Sequence, residues 1–135
     1  MATIARTAAS LRFFGENLNP EDLTRMLGSA PTKSARKGDV RGGPSGYVEK
    51  TGSWRLHAPD QSPGNLDEQI KNILAALTSD LAVWGQLSRQ FKVDMFCGAF
   101  MDQPNEGLEL HADTLSAMGV RGIALSLDIY DPVQD

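Results

Sequence analysis

One cysteine stands among 135 residues. A lone thiol, Cys97, closes no intramolecular disulfide, so nothing points to selection for an oxidising compartment. Histidine is nearly as scarce, with His57 and His111 the only two. A metal site needs three or four convergent ligands, and no motif here supplies them. Long apolar runs are missing as well. No window approaches the roughly 18 apolar residues that cross a bilayer, and Arg6 and Arg12 interrupt an N-terminal stretch that lacks a signal-peptide pattern. Nor is there a surplus of positive charge: 13 Lys and Arg face 17 Asp and Glu, a formal charge of −4, which disfavours a general nucleic-acid binder. From these absences we expect a cytoplasmic protein with no membrane or nucleic-acid partner, no metal and no cofactor.

What is present suits a single domain over residues 1–135: 41% hydrophobic and 22% charged, too apolar for a disordered chain. Residues 4–14 alternate as a strand with Ala5, Thr7, Ala9, Leu11 and Phe13 on one side and Arg6, Ser10 and Arg12 on the wet one. Asn19-Pro20-Glu21-Asp22 reads as a capped helix start, and Gly28 as its left-handed end. Residues 29–46 read as a long, basic, Gly-rich loop. Tyr47-Val48 and Ser53 to His57 read as strand pieces of a hairpin turning at Thr51-Gly52. A Pro-containing loop, 58–64, leads to the strongest helix, capped by Asn65 and striped by Leu66, Ile70, Ile73, Leu74 and Leu77. Thr78-Ser79-Asp80 recaps a shorter helix presenting Leu81, Trp84 and Leu87.

Residues 91–101 give the clearest strand, with Phe91, Val93, Met95, Cys97 and Ala99 on one face. Leu108 and Leu110 suggest a brief edge strand, and 113–118 a short helix with Leu115 and Met118 inward. Residues 122–130 form the last strand, with Ile123, Leu125, Leu127 and Ile129 expected to be buried. Period-two alternation implies sheets covered on one face only. The expected class is α+β: a single-layer, mostly antiparallel sheet of 4–5 strands with 2–4 helices packed on one face.

The order of several short motifs carries a resemblance. Phe14-Gly15-Glu16-Asn17-Leu18-Asn19-Pro20 is followed by Leu23-Thr24, Leu27-Gly28, Pro31-Thr32, Lys37-Gly38-Asp39 and Gly52-Ser53-Trp54. The leucine-rich helix comes next, and Leu127-Asp128-Ile129-Tyr130 closes the series. Over almost the whole chain this resembles the bacterial family named domain of unknown function 4279. Asn19 departs from the pattern, in which an acidic residue is commoner before the proline; the helix cap is kept. The resemblance implies a small bacterial cytosolic domain and supplies no activity, so no catalytic residue carries over. By looser analogy, acidic α+β proteins of this size serve as immunity or partner-binding proteins in toxin systems.

Three groups of residues invite a functional reading. Lys33, Arg36, Lys37 and Arg41, in and after Thr32-Lys33-Ser34-Ala35-Arg36-Lys37-Gly38, could hold a phosphate or an acidic surface, although the spacing of a P-loop is absent. The bland alternative is a solvated connection. Trp54 could floor a pocket beside Arg55 and His57, or simply anchor the core. Phe96 and Phe100 fall on the solvent face of their strand, beside Lys92 and Asp94, where bare rings would suit docking. Cys97 shares its face with Val93 and Met95 and reads as interior. The leading expectation is a non-enzymatic protein-interaction module, such as an immunity or accessory factor, using the open sheet face for a protein partner or self-association. The alternative is a small-molecule or phosphate binder, or an enzyme, built on the basic loop and the Trp54 region.

Overall fold

The structure, a computed structural model, describes residues 2–43 and 46–132. Along the chain lie β1 (Ala2–Thr3), β2 (Arg6–Gly15), α1 (Pro20–Leu27), β3 (Lys33–Ala35), β4 (Val40–Arg41), β5 (Tyr47–Val48) and β6 (Gly52–His57). There follow α2 (Leu66–Ala75), α3 (Leu81–Gln90), β7 (Lys92–Phe100), β8 (Glu106–Gly107), α4 (Ala112–Val120) and β9 (Ala124–Tyr130). Five strands make the main sheet in the order β3-β6-β2-β7-β9. Its pairs are antiparallel except β7 and β9, which run parallel. A parallel pair needs a crossover, and α4 lies in the connection that provides it. Two small pairs, β1-β8 and β4-β5, stand apart from the main sheet.

Alternation explains the layering. Thr7, Ala9, Leu11 and Phe13 of β2, Trp54 of β6, and Val93, Met95, Cys97 and Ala99 of β7 are buried on one face. Leu23 and Leu27 of α1, Ile70 and Ile73 of α2, Trp84 and Leu87 of α3 and Met118 of α4 join the same cluster. All four helices therefore cover one face of an α+β sheet, as expected. Phe13 sits at the centre, edge-on to Trp54 (5.6 Å) and stacked on Trp84 (6.0 Å). Each indole N–H has a partner: Trp54 donates to Thr24 Oγ1 at 3.1 Å and Trp84 to the Thr78 carbonyl at 2.8 Å.

A buried polar knot fixes α2 on the sheet. Thr7 Oγ1 donates to Gln69 Oε1 (2.7 Å) and accepts from the Asn65 N–H (2.9 Å), while Gln69 Nε2 donates to the Thr7 and Pro59 carbonyls. Full satisfaction is what lets these groups sit inside. The expected caps are present. Asn19 Oδ1 accepts from the N–H groups of Glu21 and Asp22, Gly28 closes α1 at φ 85°, and Asn65 Oδ1 accepts from the Glu68 N–H.

Several expectations need correction. The hairpin pairs β4 with β5, and Tyr47-Val48 does not pair with β6; residues 44–45, between the two strands, lie outside the described residues. The 29–46 stretch holds two strands, β3 and β4, because β6 offers β3 an edge to pair with. The brief strand falls at Glu106–Gly107, beside β1, and leaves out Leu108 and Leu110. Leu81 and Leu115 are exposed, their helices turning other residues inward. The largest correction concerns β9. Leu125, Leu127 and Ile129 are 38%, 39% and 65% exposed, and of the four residues expected inside only Ile123 is buried. The helical layer packs over β6, β2 and β7, and β9 lies beyond its rim.

Phe13→Ala removes the ring between two tryptophans, and we expect a loss of about 3–5 kcal/mol. Urea denaturation followed by tryptophan fluorescence measures it directly.

Candidate functional site

The face without helices collects the even-numbered residues of β2 and β7. Register sets Arg12 beside Asp94, Ser10 beside Phe96, Ala8 beside Gly98 and Arg6 beside Phe100. On the other side of β2, Ser10 pairs with His57 and Arg12 with Arg55. Beyond β7, Tyr130 of β9 pairs with Phe100. Ala8, Ser10 and Gly98 are small, so the taller side chains around them leave a trough of about 360 Å³, at the lower end of what small ligands occupy. A methyl group on Gly98 would lie 3.0 Å from the Phe100 ring, so the absence of a side chain there keeps the floor low.

Guanidinium groups line the walls. Arg12 forks onto Asp94 through two bonds, Nε to Oδ1 at 2.8 Å and Nη2 to Oδ2 at 2.7 Å. Its guanidinium lies 4.2 Å from the centre of the Phe96 ring and 5.1 Å from that of Phe14. Arg6 pairs with Asp60 at 2.6 Å and stands 3.7 Å over the Phe100 ring, which in turn stacks on Tyr130 at 4.7 Å. Phe96 and Phe100 are therefore half-buried beneath cations, and Asp94 is buried by its partner. Bare rings were expected there; register with β2 supplies the arginines that cover them.

Three cations of this face, Arg55, Lys33 and Lys92, remain uncompensated: among the described residues no carboxylate lies within 4.0 Å of any of them. Arg55 and Lys33 are register neighbours across β6 and β3. The buried Arg55 Nε and the buried Ser10 Oγ have no hydrogen-bond partner. Burial, then the positive charges of Arg55 and Lys33, hold the His57 imidazole below its ordinary pKa, against a smaller pull from Asp60. The trough thus presents the Arg55 guanidinium and a neutral imidazole, with the Ser10 hydroxyl buried beneath its floor. It offers no activated nucleophile, since Ser10 Oγ makes no hydrogen bond to a base. Cys97 lies on the helix side, where burial, with a smaller effect of Asp94, pushes its thiol up to about 12.

The other sequence candidates do not converge here. Trp54 is fully buried on the helix side and cannot floor a surface pocket. Arg36 pairs with Glu21 at 2.6 Å, Lys37 with Glu16 at 3.4 Å, and Arg41 with Glu49. These acids come from separate segments, so these three cations of the basic loop are neutralised piecemeal, and Lys33 is not. Lys92 is exposed at the start of β7, opposite Phe14. Arg6, Ser10, Arg12, Gly98 and Tyr130 are the site residues that the sequence reading did not single out. The first three were placed on the wet face of β2, and only the β2-β7 register joins them to Phe96 and Phe100. A second cavity, of about 550 Å³, opens between β1, β8 and the start of α2. There the buried Asp67 accepts from the His111 N–H (2.8 Å) and lies 3.1 Å from His111 Nδ1 and 3.2 Å from Lys71 Nζ. That carboxylate clamps the lead-in of α4 onto α2.

The depressed His57 pKa makes the unfolded chain take up a proton before the folded one as pH falls. Stability from this group is present above about pH 6.5 and declines below it. We expect His57→Gln to flatten that decline, measured by urea denaturation between about pH 7.5 and 5.

A family model described as Domain of unknown function (DUF4279) matches residues 5–132. No curated protein and no solved structure matches the chain. Among the described residues, no helix is long and apolar enough to cross a membrane.

Proposed function

Since the chain belongs to that family, whose description names no activity, we propose from the open face itself that this is a non-enzymatic binding module whose trough takes a small organic anion with a flat apolar body. One observation carries the reading: the Arg55 guanidinium, on the wall of the trough, has no carboxylate within 4.0 Å among the described residues. An uncompensated guanidinium is the group that a carboxylate or phosphate satisfies. Neutral His57 can accept or donate one further hydrogen bond, and Lys33 adds positive potential from the neighbouring strand. The Phe96 and Phe100 walls suit an apolar, planar remainder. A phosphate or acidic group thus finds its partners at Arg55, His57 and Lys33, with Arg36, Lys37, Arg41 and Trp54 outside the site.

A protein partner on the same face is the second reading, in keeping with an immunity or accessory role in the bacterial cytoplasm. Tyr130 favours it, a 46% exposed ring that carries the apolar wall to the sheet margin. Lys92 and Asp94 would flank such a contact.

A thermal-shift panel of aromatic carboxylates and phosphate monoesters, benzoate and phenyl phosphate among them, tests the first reading. A binder present at about 100 times its Kd raises stability by roughly 2.7 kcal/mol. Arg55→Gln should weaken that binder roughly tenfold or more, the worth of one charge-assisted hydrogen bond. A panel without effect, or a binder indifferent to Arg55→Gln, would overturn it.

A further inference from the structure

Strand β9 ends the main sheet, so one side of its backbone has no neighbour: β7 is the only strand paired with it among the described residues. Soluble proteins shield such edges with short strands, lysine, proline or a bulge. The opposite margin follows that rule, for β3 has three residues and begins with Lys33. β9 does not. It runs seven residues, Ala-Leu-Ser-Leu-Asp-Ile-Tyr, with Asp128 its only charge and no proline. Leu125, Leu127 and Ile129 project on the helix side beyond the helical layer and stay exposed. An unshielded backbone edge and an apolar stripe therefore coincide on one strand.

We propose that this edge is a homodimer interface, in which β9 of a second copy pairs antiparallel with β9 about a two-fold axis at Leu127. The strand's own order selects this occupant. Centred on Leu127, Leu125 faces Ile129 of the second copy, Ser126 faces Asp128, and Ala124 faces Tyr130. Apolar residues then meet apolar residues on the helix side. On the open side each carboxylate meets a hydroxyl donor, and no two like charges stand directly opposite. A register centred on Asp128 would oppose the two carboxylates, and one centred on Ser126 would leave Ile129 and Tyr130 overhanging. Self-complementarity of this kind is what an isologous contact requires. Two five-stranded sheets become one of ten, with both open faces on the same side. Ala124 of the second copy then stands next to Tyr130, at the outer wall of the trough.

Sedimentation equilibrium of the full chain tests the contact, which stands or falls independently of any ligand. The expected result is a dimer that Leu127→Lys converts to a monomer while thermal melting keeps its cooperativity, because Leu127 is exposed in the single chain. Leu127→Cys supplies a second readout. Its thiol faces its own copy across the axis, at a separation antiparallel pairs allow for a disulfide, whereas Ala124→Cys faces position 130 and should not cross-link to itself. Buried Cys97 does not compete. A wild-type chain that stays monomeric up to its solubility limit would overturn the proposal. So would a dimer that survives Leu127→Lys, or one that Phe96→Asp dissolves and Leu127→Lys does not.

Discussion

Arg12 and Asp94 hold the open face together. They are register partners on the two central strands, and their fork of two hydrogen bonds holds a guanidinium over Phe96 and near Phe14. Without that anchor a cation over an aromatic ring is a weak and mobile arrangement; with it, the ring gains a cover and the cation gains a place. The buried carboxylate is tolerable only because both oxygens are engaged. The trough follows from this. Its walls stand where the arginine-aromatic contacts put them, and its floor is low because Ala8, Ser10 and Gly98 fall between.

The two faces of the sheet solve opposite problems. On the helix side, aromatic rings are buried by other apolar groups, with Phe13 between two indoles. On the other side, rings are covered by charge, so the face stays wet while presenting less bare hydrocarbon. Arg6 and Arg12 are neutralised by Asp60 and Asp94, whereas Arg55, Lys33 and Lys92 have no carboxylate within 4.0 Å among the described residues. A binding surface needs one such imbalance, placed where a ligand can reach it.

Local signals in the sequence were dependable where chemistry is local. Asn19, Pro20, Gly28 and Asn65 mark helix ends through capping geometry that only a few residue types provide. The alternation in 4–14 and 91–101 gave β2 and β7 and their inward faces. Non-local facts were out of reach. That Arg12 would lie opposite Asp94, 82 residues away, depends on strand order, which no periodicity encodes. The same holds for β9, where Leu125, Leu127 and Ile129 alternate as a buried face does. They are exposed because the helices stop short of that strand, a matter of how far a layer extends. Trp54 was rightly offered as a core anchor, and its position beneath α1 excludes the pocket reading. The basic loop looked concentrated because Glu16, Glu21 and Glu49, which meet its charges, lie outside the run it occupies.

The position of β2 in the strand order has a kinetic meaning. It is flanked by β6 and β7, and Thr7 within it is locked to α2 through Gln69. Opening it means breaking both ladders and the knot together, which is close to unfolding the whole molecule. In a single copy, β9 has one strand neighbour among the described residues and little cover, so it can part from β7 in a small local event. In the single copy, amide hydrogens should therefore exchange with solvent in a graded order from the sheet's margin to its middle, and a lone chain breathes at the strand where it has the least company.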